Sequence, residues 1–133
     1  MTDLFSEFSP YKGKARFVAI LWTLLIFFLC FLPGKDIPDV NIPFIDKWVH
    51  LLLFGMLTLI WHLSQPIRNI KFAFILLVAA IFQGWIVEYI QGHFTQGRTQ
   101  DNMDTLADTT GAIIGIIMFY VFSLTLKVKT AVY

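Results

Sequence analysis

The sequence predicts an all-α, polytopic membrane protein: a four-transmembrane-helix bundle with both termini in the cytoplasm. Three observations carry that expectation. Of 133 residues, 57% are hydrophobic and only 14% charged, against about 25% charged in an ordinary soluble domain. The apolar residues gather into four uncharged windows, 17–34, 48–67, 72–87 and 109–126, and at about 1.5 Å rise per residue such stretches cover roughly 24 to 30 Å, close to the thickness of a bilayer's hydrocarbon layer. Finally, seven of the ten Lys and Arg residues flank these windows on one side: Lys12, Lys14, Arg16, Arg68, Lys71, Lys127 and Lys129. Basic residues in short flanks mark the cytoplasmic face.

The first window follows a basic segment, as a secretory signal would. Its apolar run exceeds a signal's hydrophobic region, however, and Pro33-Gly34-Lys35 is no small-residue cleavage site, so the span 17–34 is expected to be a retained helix. Its leader carries Leu4, Phe5, Phe8 and Tyr11 among polar residues, which fits a segment lying on the membrane surface or a disordered tail. The lone Cys30 excludes an internal disulfide and a cysteine-based metal cluster. A loop over 33–47, punctuated by Pro33, Pro38 and Pro43, leads to the second span, 48–67. The short polar stretch 64–71 makes the second and third spans an antiparallel hairpin. Adding Glu88 to Gln91 lengthens the third span to 72–91, and a loop with Gly92 and Gly97 precedes the fourth, taken from 104 to 126. The whole chain, 1–133, reads as a single domain. A formal net charge of +1 gives no reason to expect a nucleic-acid partner.

Ionisable groups inside a membrane span cost about 2.5 to 3.5 kcal/mol each near its centre on insertion scales, so their positions require an account. Here they gather at the outward ends of three spans: Asp46, Lys47 and His50 open the second, Glu88 and Gln91 close the third, and Arg98, Asp101, Asp104 and Asp108 lead into the fourth. Asp46 and His50 are four apart, Glu88 and Gln91 three apart, and Asp104, Asp108, Gly111 and Gly115 follow one helical stripe. The three faces therefore converge on a polar pocket between spans two, three and four, in which Arg98 is expected to contact a carboxylate. Plainer readings stand beside this one. Asp101 fits a helix N-cap, Gly111 and Gly115 a close-packing face, and Lys47 and Trp48 interfacial anchors. His62 fits a hydrogen-bonded packing residue, and His93 an exposed loop residue.

Taken in order, Asp46-Lys47-Trp48-Val49-His50, then Glu88-x-x-Gln91, then Arg98-x-x-Asp101-x-x-Asp104, then Gly111 and Gly115 resemble the VanZ-like family of small bacterial membrane proteins over residues 46–115. Asp108 stands where that family's pattern has Asn. The resemblance implies a bacterial cell-envelope protein of the cytoplasmic membrane, connected with tolerance of teicoplanin-type lipoglycopeptides. It supplies no reaction.

The residues themselves leave four readings open. In a ligand-recognition module, Asp46, Lys47, His50, Glu88, Gln91, Arg98, Asp104 and Asp108 would hold a polar head group on a lipid-linked wall precursor or lipoglycopeptide. In an enzyme on such a precursor, His50, Glu88 or Asp104 would supply acid–base chemistry, and Asp104 with Asp108 would bind a divalent cation. No organic cofactor is expected in either case. In a transporter the acids would relay protons, and in a purely structural bundle Lys47 and Arg98 would pair with neighbouring carboxylates. Membrane lipids are expected partners throughout; oligomeric state is not written in the sequence.

Overall fold

The computed structural model describes residues 2–33, 35 and 41–125. Within them lie a 3-10 turn, Thr2–Phe5, and four α-helices: α1 (Lys12–Cys30), α2 (Ile45–Ser64), α3 (Ile70–Phe94) and α4 (Asn102–Thr125). Each helix is long and apolar enough to cross a membrane. Pro38 of the first loop, Leu126 of the expected fourth span, and Lys127 and Lys129, which entered the orientation argument, lie outside the described residues.

The helices run past the windows that announced them. α1 starts at Lys12 rather than at residue 17, and α3 spans Ile70–Phe94 rather than 72–91. A charged residue ends the part of a helix that sits comfortably in hydrocarbon. It does not end the helix, because Lys, Arg and Glu are good helix formers. True stops need other chemistry. α1 closes at Cys30, shortly before Pro33; α3 opens on Asn69, whose side chain accepts from the N–H groups of Lys71 and Phe72 at 2.8 and 3.3 Å.

The helices alternate in direction, as short connections require. One end of the bundle brings together the C-terminus of α1, the N-terminus of α2, the C-terminus of α3 and the N-terminus of α4; the other end joins His62 of α2 with Phe72 of α3 and Phe119 of α4. The tightest packing is between α2 and α4, which are not adjacent in sequence. A Cβ on Gly111 would run into the carbonyl of Leu51, and one on Gly115 into the carbonyl of Gly55, so the two backbones touch where glycine has removed the side chains. Thr58 strengthens that seam, its hydroxyl donating to the Ala112 carbonyl at 2.9 Å. α1 is clasped to α2 by Trp22 Nε1, which donates to the Leu53 carbonyl at 2.9 Å, and by Trp61 Nε1, which donates to Thr23 Oγ1 at 3.2 Å. Large apolar side chains such as Phe28, Phe74, Phe82, Trp85 and Ile117 point outward, the arrangement lipid favours.

Three expectations are corrected here. The leader does not trail away as a disordered tail, since the ring of Phe5 packs at 6.0 and 5.7 Å from those of Phe119 and Phe122. His62 is a packing residue, but neither ring nitrogen has a hydrogen-bond partner among the described residues; the ring stacks on Phe119 at 4.3 Å instead. His93 belongs to the last turn of α3, where Nδ1 lies 2.9 Å from the Tyr89 carbonyl, and not to a loop.

Candidate functional site

The first turns of α2 and α4 and the last turns of α3 meet at the end of the bundle that also holds Cys30. Helical spacing puts Asp46 and His50 of α2, Glu88 and Gln91 of α3, and Asp104 and Asp108 of α4 on inward faces. His50, Glu88, Gln91, Asp104 and Asp108 are all buried, Glu88 and Asp108 completely at 0% exposure.

Two sub-clusters result. In the outer one the Lys47 ammonium donates to Asp46 Oδ2 at 2.7 Å, Asp101 Oδ2 at 2.7 Å and Asp104 Oδ1 at 2.8 Å. An ammonium has three hydrogens, and here each has its own carboxylate. Lys47 is therefore no outward-pointing anchor; it ties α2 to the start of α4. Asp101 serves twice, because its other oxygen accepts from the Met103 N–H at 2.8 Å and caps α4. The Lys47 ammonium, followed by that backbone N–H, holds the Asp101 carboxyl below the usual aspartate range.

In the inner cluster His50 Nδ1 lies 2.9 Å from Asp108 Oδ1, while Nε2 lies 3.9 Å from Glu88 Oε1 and 3.9 Å from Asp104 Oδ2. Glu88 Oε2 accepts the Asp101 backbone N–H at 2.9 Å. With the Gln91 amide turned to satisfy its neighbours, its oxygen accepts from Arg98 Nη2 at 2.9 Å and its nitrogen donates to Glu88 Oε1 at 3.2 Å. Arg98 thus reaches Glu88 through an amide. Its expected contact with a carboxylate does not form among the described residues, because Gln91 stands between them and Lys47 has taken Asp104.

Next to this network lies a cavity of about 480 Å³. Its walls are apolar and come from three helices, including Ile26 and Leu29 of α1, Val49 and Leu53 of α2, and Val87 of α3, while Asp46, His50, Gln91 and Arg98 form its polar lining. Arg98 Nε is buried there without a hydrogen-bond partner among the described residues.

All eight residues singled out from the sequence come together at one end of the bundle, but not as one open pocket between α2, α3 and α4. That space is filled by the ionic network, and the cavity lies between α1, α2 and α3. Asp104 and Asp108, expected to share a cation, are drawn to different partners, Lys47 and His50. Sequence reasoning missed Gly84, where a Cβ would stand 2.7 Å from Asp108 Oδ2; an isolated glycine in an apolar run carries no signal of what it accommodates. It also missed the contribution of α1, whose cavity-lining and lipid-facing residues are equally apolar.

Fold and site together define an all-helical bundle, apolar enough for a membrane, with a buried carboxylate–histidine cluster beside an amphipathic cavity. Comparison with models of known protein families, with curated proteins and with solved structures finds no match.

Proposed function

We propose that this chain is a VanZ-like protein of the bacterial cytoplasmic membrane that recognises an amphiphile with an anionic head, such as a lipid-linked wall precursor or a lipoglycopeptide, and so contributes to tolerance of teicoplanin-type antibiotics. The observation that carries the reading is the cavity: about 480 Å³ of largely apolar space with Arg98, Gln91 and His50 in its lining. Such a shape suits a chain end and a charged head in one molecule. A guanidinium whose buried Nε has no partner among the described residues is suited to phosphate or carboxylate, which it meets with planar, charge-assisted hydrogen bonds. The ordered resemblance over residues 46–115 supports the same reading. In this proposal both termini are cytoplasmic, and the cavity faces the outer leaflet, where lipid-linked wall precursors are used.

The test is binding of a polyprenyl phosphate to the purified chain in nanodiscs, read by native mass spectrometry or quenching of tryptophan fluorescence. Arg98→Ala should weaken binding at least tenfold while leaving the protein monodisperse and helical. Affinity no greater than for bulk phosphatidylglycerol, or unchanged in Arg98→Ala, would remove the proposal.

A second reading, an enzyme acting on the same class of substrate, is favoured by one observation, the 2.9 Å contact between His50 and Asp108. A carboxylate that orients an imidazole beside a cavity is the arrangement general acid–base catalysis uses. Turnover of a polyprenyl-linked substrate that disappears in His50→Ala would move the assignment from recognition to catalysis.

A further inference from the structure

His50, Glu88 and Asp108 each present one ligand atom such that all three atoms lie within 4.8 Å of one another, and all three residues are buried. The neighbouring trio Asp46, Asp101 and Asp104 has the same compactness, but it already encloses a cation, the Lys47 ammonium. The inner trio encloses none. Within it, Asp108 Oδ1 faces His50 at 2.9 Å, whereas Oδ2, on a fully buried side chain, has no hydrogen-bond partner among the described residues. That orphan oxygen is turned toward α3, into the space left by Gly84. Gly84 and Glu88 are one turn apart on the same face of α3, so Oδ2 is aimed at the stripe that carries the Glu88 carboxylate.

We propose that His50, Glu88 and Asp108 bind one divalent cation of the first transition row, for which Zn²⁺ and Mn²⁺ are the probes. One imidazole nitrogen with two carboxylate oxygens is a donor set these ions accept, whereas Ca²⁺ asks for about six to eight oxygens. The ion takes one imidazole nitrogen of His50 and one carboxylate oxygen each from Glu88 and Asp108. Five carboxylates at this end, Asp46, Glu88, Asp101, Asp104 and Asp108, stand against three permanent cations among the described residues, Lys35, Lys47 and Arg98; a dication narrows that imbalance. Three protein ligands leave a coordination position open, and His50 also lines the cavity.

This site does not depend on the amphiphile reading, and its test needs no lipid ligand. The full chain is stripped with chelator, reconstituted in nanodiscs and titrated with ZnCl₂ or MnCl₂ by calorimetry. One ion per chain should bind, with a rise in thermal midpoint. X-ray absorption of the Zn²⁺-loaded wild-type protein should report one imidazole and otherwise oxygen ligands. Asp108→Asn, which keeps the shape and the Oδ1 acceptor, and Glu88→Gln should each weaken Zn²⁺ at least tenfold, while His93→Ala, at the exposed histidine, should leave it unchanged. No stoichiometric ion in the wild-type chain, full affinity in Asp108→Asn, or loss of binding in His93→Ala would each overturn the proposal.

Discussion

Replacing Lys47 by methionine removes the single ammonium shared by Asp46, Asp101 and Asp104 and leaves their charges facing one another. Breaking a fully buried ion pair costs about 3 to 5 kcal/mol; here Lys47 is 24% exposed and Asp46 and Asp101 are 50% and 41% exposed, so solvent screening reduces the expected loss to about 1 to 3 kcal/mol. The sign of its pH dependence follows from Asp101, whose carboxyl is held below its ordinary value chiefly by Lys47. A depressed carboxyl contributes stability that is fully present above its unfolded value of about 3.9 and is lost as pH falls through the folded value. The difference between wild type and Lys47→Met should therefore be full at neutral pH and shrink below about pH 4, as thermal unfolding in nanodiscs at both pH values will show. His62 gives the opposite sign. Its ring is buried against Phe119 with both nitrogens unpartnered, so His62→Phe keeps the stacking, removes unmet polar atoms, and should raise stability by about 1 kcal/mol.

At the scale of elements, the seam between α2 and α4 depends on the absence of side chains at two glycines. Gly111→Ala or Gly115→Ala would push a methyl group into a backbone carbonyl of α2, which cannot rotate away, and each should cost about 1 to 3 kcal/mol. Gly13→Ala, where nothing stands within 4 Å of the added Cβ, should be neutral or slightly stabilising because alanine is the better helix former. Unfolding in graded SDS would separate the two cases; equal effects at residues 13 and 111 would refute close approach of α2 and α4. The seam also shows what a sequence can and cannot say about a bundle of this kind. Four helices were legible because uncharged runs have a membrane's length, and the spacing of Gly111 and Gly115 was legible as a packing face. Gly55, their counterpart on α2, stood in no pattern. Likewise the pairs Asp46–His50, Glu88–Gln91 and Asp104–Asp108 were legible as inward faces from spacing alone, yet which acid would take Lys47 and which His50 depends on how far each helix slides along its neighbour. In lipid the hydrophobic period that settles such questions for soluble proteins is absent, because the buried and exposed faces of α1 are equally apolar.

For the whole molecule, the arrangement of charge bears on orientation. By sequence alone seven basic residues lie at one end and three, Lys35, Lys47 and Arg98, at the other. The last two are turned inward: Lys47 is ringed by three carboxylates, and Arg98 is joined to Gln91 beside the cavity. Among these three, that leaves Lys35 to act as an ordinary flanking charge, so the bias toward one face is steeper than the count, and the end carrying the cluster is expected outside. Single cysteines in a Cys30→Ala background test this directly. Asn41 and Gln96 are exposed at the cluster end and Gln65 is exposed at the opposite end, whereas Thr95 is buried, donating to the Cys30 carbonyl at 3.0 Å, and is unsuited to labelling. In intact cells Asn41→Cys and Gln96→Cys should react with an impermeant maleimide, and Gln65→Cys should react only after permeabilisation. The reverse pattern would turn the cluster and its cavity toward the cytoplasm, away from wall precursors on the outer leaflet, and the recognition proposal would fall with the orientation, although the cation site would not.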